Sequence, residues 1–490
     1  MQNRLLHILP YLLLALLLAV PFFGHLDTLC FRTWDESRLA MNAFEMAEHG
    51  NPFVTHYKGA PDMWNTKPPL MIWLQVFWIK VIGANEIATR LPSILASLFT
   101  CVLLLLFSHR YLKKPWFGFI AVMVLMTSYG YVIDHGIRFG EYDSLLALFT
   151  TIYCLSFYLW HEKAKPFYLY VFFVGLTLAV LSKSIAGLFL LPGLFLYTLW
   201  NRKLLVLLRQ KGLYIGLLGF LIAVAGFYLI RESQNPGYLL AVWKNELGGR
   251  YNTVIEGHQG EFDLYYNYLQ DYGFQHWFVV IPVGAIIGWV HRHARFNRLA
   301  TFSSLLVLSF ILILSLAETK IRWYLIPIYP FLSLLVAIAI YHLFDLLKES
   351  RKLRYQVLPF MGLFVIFATP YQTLWDQTYI PKDKGFDAVY YETNYLLRDA
   401  LRGKADLDGY YVLYDGYRAD TECYFFMLNQ KGVQVEFKDW KKLAFGDRVI
   451  VQQPKLKTYL DEHYHYQILS QSKHLLTAKI YGQKNQHPDA

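Results

Sequence analysis

Apolar positions in this chain do not alternate with polar ones; they come in unbroken blocks. The blocks fall at 5–25, 91–110, 116–133, 143–160, 166–182, 185–200, 212–230, 276–290, 299–316, 324–345 and 356–371. Most approach the ~20 residues a helix needs to cross a bilayer. Helices apolar all round are lipid-facing or buried in a bundle, whereas a soluble core would show one polar face per helix. The pattern therefore predicts a polytopic α-helical membrane protein. The run 69–82 is apolar but short and aromatic, and it reads as an interfacial or re-entrant helix. Arg4 ahead of an apolar run to Phe23 reads as an uncleaved first span.

Beyond residue 371 the pattern changes. Strand-like runs at 410–414, 433–437, 448–451, 466–470 and 475–481 are separated by amphipathic stretches such as 389–401 and 455–464. The expected organisation is a transmembrane domain over 1–371 and a small α/β domain over 372–490.

Charge orients the bundle. Arg110/Lys113/Lys114, Lys163/Lys165, Arg202/Lys203/Arg209/Lys211, Arg292/Arg295/Arg298 and Lys348/Arg351/Lys352/Arg354 occupy alternate connections, which the positive-inside bias makes cytoplasmic. The segments 26–90, 134–142, 183–184, 231–275, 317–323 and the tail then face outward. The net charge of +10 is explained by these connections, so nucleic acid is excluded as a partner. Cys101 and Cys154 lie inside spans without metal-ligand spacing. A Cys30–Cys423 disulfide is the less favoured outcome.

Several cations defy the bias and stand on the outward face: Lys67, Arg138, Lys183, Arg250, Lys320 and Arg322. Trp34-Asp35-Glu36 emerges on the same face at the start of a helical stretch. Either carboxylate could cap that helix, or act as a base just outside the bilayer. Lys67, in Asn65-Thr66-Lys67-Pro68-Pro69, is held at the interface by two prolines; snorkelling to headgroups is the bland alternative. Arg138 and Asp143 share a short turn, where an internal ion pair and a helix cap compete with a site role. Lys183 stands in a turn beside Gly187, whose missing side chain permits close packing. His258 follows Arg250 in the long outer loop, and a lone histidine is more often structural. Lys320, Arg322 and Tyr324 share another short turn. Together these groups offer charge-assisted donors for a phosphate, beside apolar gaps suited to a lipid tail.

The ordered motifs Trp34-Asp35-Glu36, Lys67-Pro68-Pro69-Leu70, 85–93, Arg138…Asp143, Ser182-Lys183-Ser184 and Lys320-Ile321-Arg322-Trp323-Tyr324 resemble those of bacterial dolichyl-phosphate-mannose protein mannosyltransferase-like glycosyltransferases. The best understood relatives of that family move aminoarabinose onto lipid A. The resemblance covers about 1–345, and it implies a GT-C fold of about 11–13 spans with interfacial helices in the first outer loop. It implies transfer, with inversion, of a sugar from a polyprenyl-phosphate donor to a glycolipid, glycan or protein acceptor. The site would lie on the periplasmic side of a bacterial inner membrane. By the same resemblance Asp35 is the essential acid with Glu36 beside it. Lys67, Arg250, Lys320 and Tyr324 lie near the donor phosphate, and Asp143 and Lys183 are further polar residues of the cavity. The chain departs from the aminoarabinose type at Thr66, where relatives usually carry an acid, and nothing in the sequence requires a metal. The rival reading is a lipid-linked sugar flippase or transporter. That would distribute polar groups through the bundle, whereas here they gather at one interface.

Overall fold

The computed structural model describes residues 2–133, 135–248, 252–254, 256–348 and 357–484. Arg250, Arg351, Lys352 and Arg354 lie outside the described residues. Each expected span overlaps a helix, but those at 116–133, 185–200 and 276–290 are helical only in part, chiefly over Pro115–Met126, Leu191–Trp200 and Val280–Val290. Six helices among the described residues are long and apolar enough to cross a membrane: Glu86–Leu112, Asp143–Lys163, Phe167–Leu188, Lys211–Gln234, Ala294–Leu316 and Arg322–Lys348. Shorter apolar helices join them, including Ile8–Phe23, Pro115–Met126, Leu191–Trp200 and Val280–Val290. The helix Leu358–Thr378 closes the bundle, running past the expected boundary at 371.

Local chemistry explains the breaks. Asn85 caps the helix Glu86–Phe107 by accepting a hydrogen bond from the Ala88 amide at 2.9 Å. Lys183 ends its helix because Ser184 adopts φ 50°, and a short 3-10 turn, Ser184–Leu188, follows. Within that turn a Cβ on Gly187 would lie 2.7 Å from the Ala179 backbone. The expected close approach is therefore present, and no other residue fits it without displacement.

The first outer loop is itself structured. It contains the helix Asp35–His49, a hairpin of β1 (His56–Tyr57) and β2 (Ala60–Pro61), and the helix Leu70–Ile82. At 1.5 Å per residue the last is about 20 Å long, too short to span ~30 Å of hydrocarbon.

The tail forms a five-stranded sheet of β3 (Tyr410–Leu413), β4 (Val435–Phe437), β5 (Arg448–Val451), β6 (Tyr464–Gln471) and β7 (Leu476–Gln483), in the order β4-β3-β5-β7-β6. The first three strands are parallel; β7 runs antiparallel to both β5 and β6. The helix Ala419–Asn429 had no counterpart among the expected elements. It seats the tail on the outer loop. Phe426 stacks on Phe44 at 5.0 Å between ring centroids, and the Tyr424 hydroxyl donates to Glu86 at 2.6 Å. Cys30, Phe31, Phe44, Ile72, Leu397, Cys423 and Tyr424 share one apolar core across this seam. Cys30 and Cys423 are both free thiols there.

Candidate active site

The helix Asp35–His49 starts on Trp34, whose φ of 68° and ψ of −115° are unfavourable for an L residue. Successive helical residues point about 100° apart, and the two acids part company. Asp35 lines a polar cavity. Glu36 is 0% exposed and turned into the protein. Its oxygens accept from Arg90 Nε at 2.7 Å, Arg90 Nη2 at 3.0 Å, the Arg32 amide at 2.8 Å and the Gly140 amide at 3.0 Å. Burial opposes its charge, but Arg90 and the amides prevail and hold the carboxyl below its ordinary range. The expectation of Glu36 as a catalytic partner is thus corrected: all its acceptor capacity is spent on structure. The helix cap expected of the acids is absent as well, since no side chain caps this helix.

Two adjoining cavities share Lys67, Lys183, Glu246 and Tyr324. One is lined mainly by apolar groups, among them Leu146, Ile185, Phe189, Phe310, Leu314 and Pro327. The other is polar, lined also by Asp35, Trp64, Asn245, Glu256, His258 and Trp323. Pro68 and Pro69 precede the helix Leu70–Ile82 and deliver Lys67 to the junction. The Lys67 ammonium lies 3.4 Å from Glu246. Asp143 opens the helix Asp143–Lys163 and holds Lys183 through contacts of 2.5 and 2.7 Å. Lys183 also sits 5.3 Å from the centre of the Tyr324 ring.

The other predicted residues fall elsewhere. Arg138 makes no pair with Asp143. Its guanidinium donates to the carbonyls of Pro21 at 2.9 Å, Gly24 at 2.7 Å and His25 at 3.1 Å, fastening the outer turn to the first helix. Burial and nearby Arg90 push its pKa down to about 10. Lys320 lines neither cavity; its ammonium donates to the Ala317 carbonyl at 2.7 Å. Arg322 is exposed and likewise lines neither. His258 does line the polar cavity, and its carbonyl accepts from the Lys320 amide at 3.0 Å. Arg250 is outside the described residues.

Sequence reading passed over Glu246, His135 and Glu141. Glu246 accepts from Thr66 Oγ1 at 3.2 Å, so a carboxylate stands over Thr66 and Lys67 although the sequence has none beside them. Nothing local marks it: the helical turn Trp243–Leu247 that supplies it is 180 residues away. His135 and Glu141 form a contact pair in the outer turn before Asp143. Burial drives the Glu141 carboxyl up to about 7 despite His135. Burial works against the charged imidazole, yet Glu141 raises it to about 9. The ring of His135 lies flat on Trp323, 3.6 Å between centroids and 13° from parallel.

Residues 66–229 match the family model described as dolichyl-phosphate-mannose-protein mannosyltransferase. An uncharacterized protein of Aquifex aeolicus is 27% identical over 348 residues, 69% of this chain and 64% of that protein. The undecaprenyl phosphate-alpha-4-amino-4-deoxy-L-arabinose arabinosyl transferase of Aeromonas hydrophila is 23% identical over 341 residues, 67% of this chain and 59% of that protein. The match thus spans less than two thirds of either relative's own length. ArnT from Cupriavidus metallidurans, solved bound to undecaprenyl phosphate, has a TM-score of 0.71 at 14% identity, covering 96% of this chain and 97% of that one. The Archaeoglobus fulgidus oligosaccharyltransferase has a TM-score of 0.51 at 12% identity, covering 88% of this chain and 64% of that one. At such identities the solved structures speak for the fold, and the matched segment speaks for descent. Over 66–229 the chain is similar to the dolichyl-phosphate-mannose-protein mannosyltransferase family model, and as a whole it shares the fold of the solved ArnT.

Proposed function

We propose that this protein is an inverting glycosyltransferase that moves a sugar from a polyprenyl-phosphate carrier to an acceptor outside the cytoplasm. The observation that carries the reading is the junction of the two cavities. An apolar chamber meets a polar one at Lys67 and Lys183, with Asp35 on the polar wall. A lipid with a phosphate head and a sugar beyond it has the matching sequence of chemistries: tail, anion, then hydroxyls.

In this reading Lys67 and Lys183 stabilise the phosphate as it leaves, with Tyr324 beside them. Asp35 takes the proton of the acceptor hydroxyl while that oxygen attacks the anomeric carbon. The bond from that carbon to the phosphate oxygen breaks, and polyprenyl phosphate departs as an anion. His258 contributes to the sugar side of the site, and Asp143 holds Lys183 in place. Lys320, Arg322 and Arg138 act outside the cavity walls. The catalytic unit is 1–371 and the tail is 372–490. Both the site and the tail face the periplasm from an inner membrane, and the acceptor is a glycolipid, glycan or protein. The Cupriavidus relative's bound undecaprenyl phosphate supports the donor class.

The test is purified Asp35→Asn protein assayed with a polyprenyl-phosphate sugar. Carrier binding should persist while turnover falls at least a hundredfold, the lower range for loss of a general base. Wild-type turnover in that variant overturns the assignment.

A further inference from the structure

We infer that Trp34 and Tyr417 form an aromatic platform that holds a pyranose ring of the acceptor one residue from Asp35. The inference rests on the transferase reading and narrows it to acceptors that offer a sugar hydroxyl. Trp34 belongs to the first outer loop and Tyr417 to the tail. Their rings stack with 4.9 Å between centroids and 22° between planes. Neither residue lines the two cavities, so the platform lies outside the space assigned to the carrier and its sugar. Asp35, the next residue after Trp34, does line the polar cavity. The platform is thus beside the proposed base, with neighbouring Cα atoms about 3.8 Å apart.

The backbone is bent to present the ring. Trp34 sits at φ 68° and ψ −115°, a conformation that glycine adopts freely and tryptophan does not. Such outliers persist where their neighbours over-determine them. Here the Trp34 carbonyl accepts from the Arg38 amide at 2.9 Å and from Ser37 Oγ at 3.2 Å. The Thr33 amide donates to the Tyr391 hydroxyl at 3.2 Å. Tyr417 is held by a hydrogen bond to Arg38, itself clamped by Asp62 at 2.8 Å and lying 3.4 Å over the Tyr57 ring. Strain held in this way for packing alone would bury the side chain. Trp34 is instead 58% exposed, with a free face turned to water.

The surroundings select the occupant. Within 24–76 and 387–444, the segments that supply the two rings, no other large apolar side chain is exposed. A lipid chain therefore finds no apolar patch continuing from Trp34 in either segment. A peptide strand would need free main-chain partners, but the main chain at Thr33, Trp34 and Ser37 is already bonded within the protein. A pyranose presents axial hydrogens on one face and hydroxyls around its edge. Those hydrogens suit the negative face of an indole, which offers a rigid contact at small entropic cost. The turn carrying Tyr417 supplies polar groups for the hydroxyls. Exposed Asp415 pairs with Lys455, and its amide and carbonyl engage Gln453 at 2.9 and 3.1 Å.

The experiment uses full-length protein in nanodiscs, freed of carrier lipid, with saturation-transfer NMR and two soluble pyranose probes, cellotetraose and chitotetraose. The expected result is transfer concentrated on the ring C–H protons of at least one probe. Trp34→Gly removes the indole and suits the backbone at that position. It should keep the fold, shown by an unchanged or higher Tm, and weaken probe binding about tenfold. Tyr417→Leu keeps apolar bulk without the ring and should weaken binding less. Failure of both probes to bind, or binding unchanged in Trp34→Gly, overturns the platform. So does Trp34-dependent binding of a Ser/Thr-rich peptide or a short-chain phospholipid in place of the sugars. Binding is read without turnover, so these outcomes leave the Asp35→Asn test untouched. A working platform beside wild-type turnover in Asp35→Asn sinks the transferase reading alone.

Discussion

Two groups of cations around the candidate site do opposite things. At the cavity junction, Lys67 and Lys183 each meet one carboxylate and keep donors in reserve. In the seam behind it, arginines spend their donors on the protein itself. Arg90 serves Glu36 and the carbonyls of Leu26, Leu29 and Cys30; Arg138 serves Pro21, Gly24 and His25. Arg231 ties Phe53, Thr55 and Asp62 together in the same manner. A guanidinium with five donors in a rigid fork gathers several carbonyls at once, while an ammonium acts as a point charge that a ligand can claim. At these positions arginine builds, while Lys67 and Lys183 stay able to bind.

The largest effect that would sharpen this contrast comes from the seam. Arg90→Met leaves Glu36 charged and buried without a partner, which costs about 3–5 kcal/mol in comparable cases. We expect low folded yield and a strongly lowered Tm, measured by thermal unfolding in detergent. A Tm within a degree of wild type would break the distinction.

Lys67→Ala should do the reverse. Its Tm should be near wild type, while transfer from a polyprenyl-phosphate sugar falls about 10²–10³-fold, equivalent to about 2.7–4 kcal/mol. The smallest effect concerns Glu246→Gln. Lys67 loses its competitor, and polyprenyl phosphate should bind a few-fold tighter, consistent with the roughly 0–1 kcal/mol of a modest ion pair. Weaker binding would show that Glu246 orients Lys67 rather than restrains it.

How much was legible in the sequence follows from the range of the forces involved. The spans and the tail strands were readable because they are written in local periodicity; the tail strands agree to within two residues at each end. The helix Ala419–Asn429 was not, since eight of its residues are buried and it shows no polar face to betray its period. At the site, Asp35, Lys67, Asp143, Lys183, His258 and Tyr324 were found through motif order and through charge placed against the membrane bias. The same bias over-selected Arg138, Lys320 and Arg322, because charge sign does not say whether a group faces a cavity or a carbonyl. Glu36 was paired with Asp35 by adjacency, a relation a helix undoes. Glu246 was missed because long-range placement leaves no trace near Thr66. His135 and Glu141 were passed over because a lone histidine in a turn looks ordinary until the fold brings Asp35 to it.

The stacking of Phe426 on Phe44 and the reach of Tyr424 to Glu86 have an evolutionary consequence. Because the tail shares its hydrophobic interior with the very helix that presents Asp35, it is not a detachable cassette. A graft of another protein's C-terminal domain onto this bundle would have to match that buried surface residue for residue. Otherwise Phe31 and Phe44 would be stripped to water and the scaffold behind the proposed base would loosen. Divergence in acceptor preference is therefore expected to proceed by substitution on the tail's solvent side, not by exchange of the whole unit.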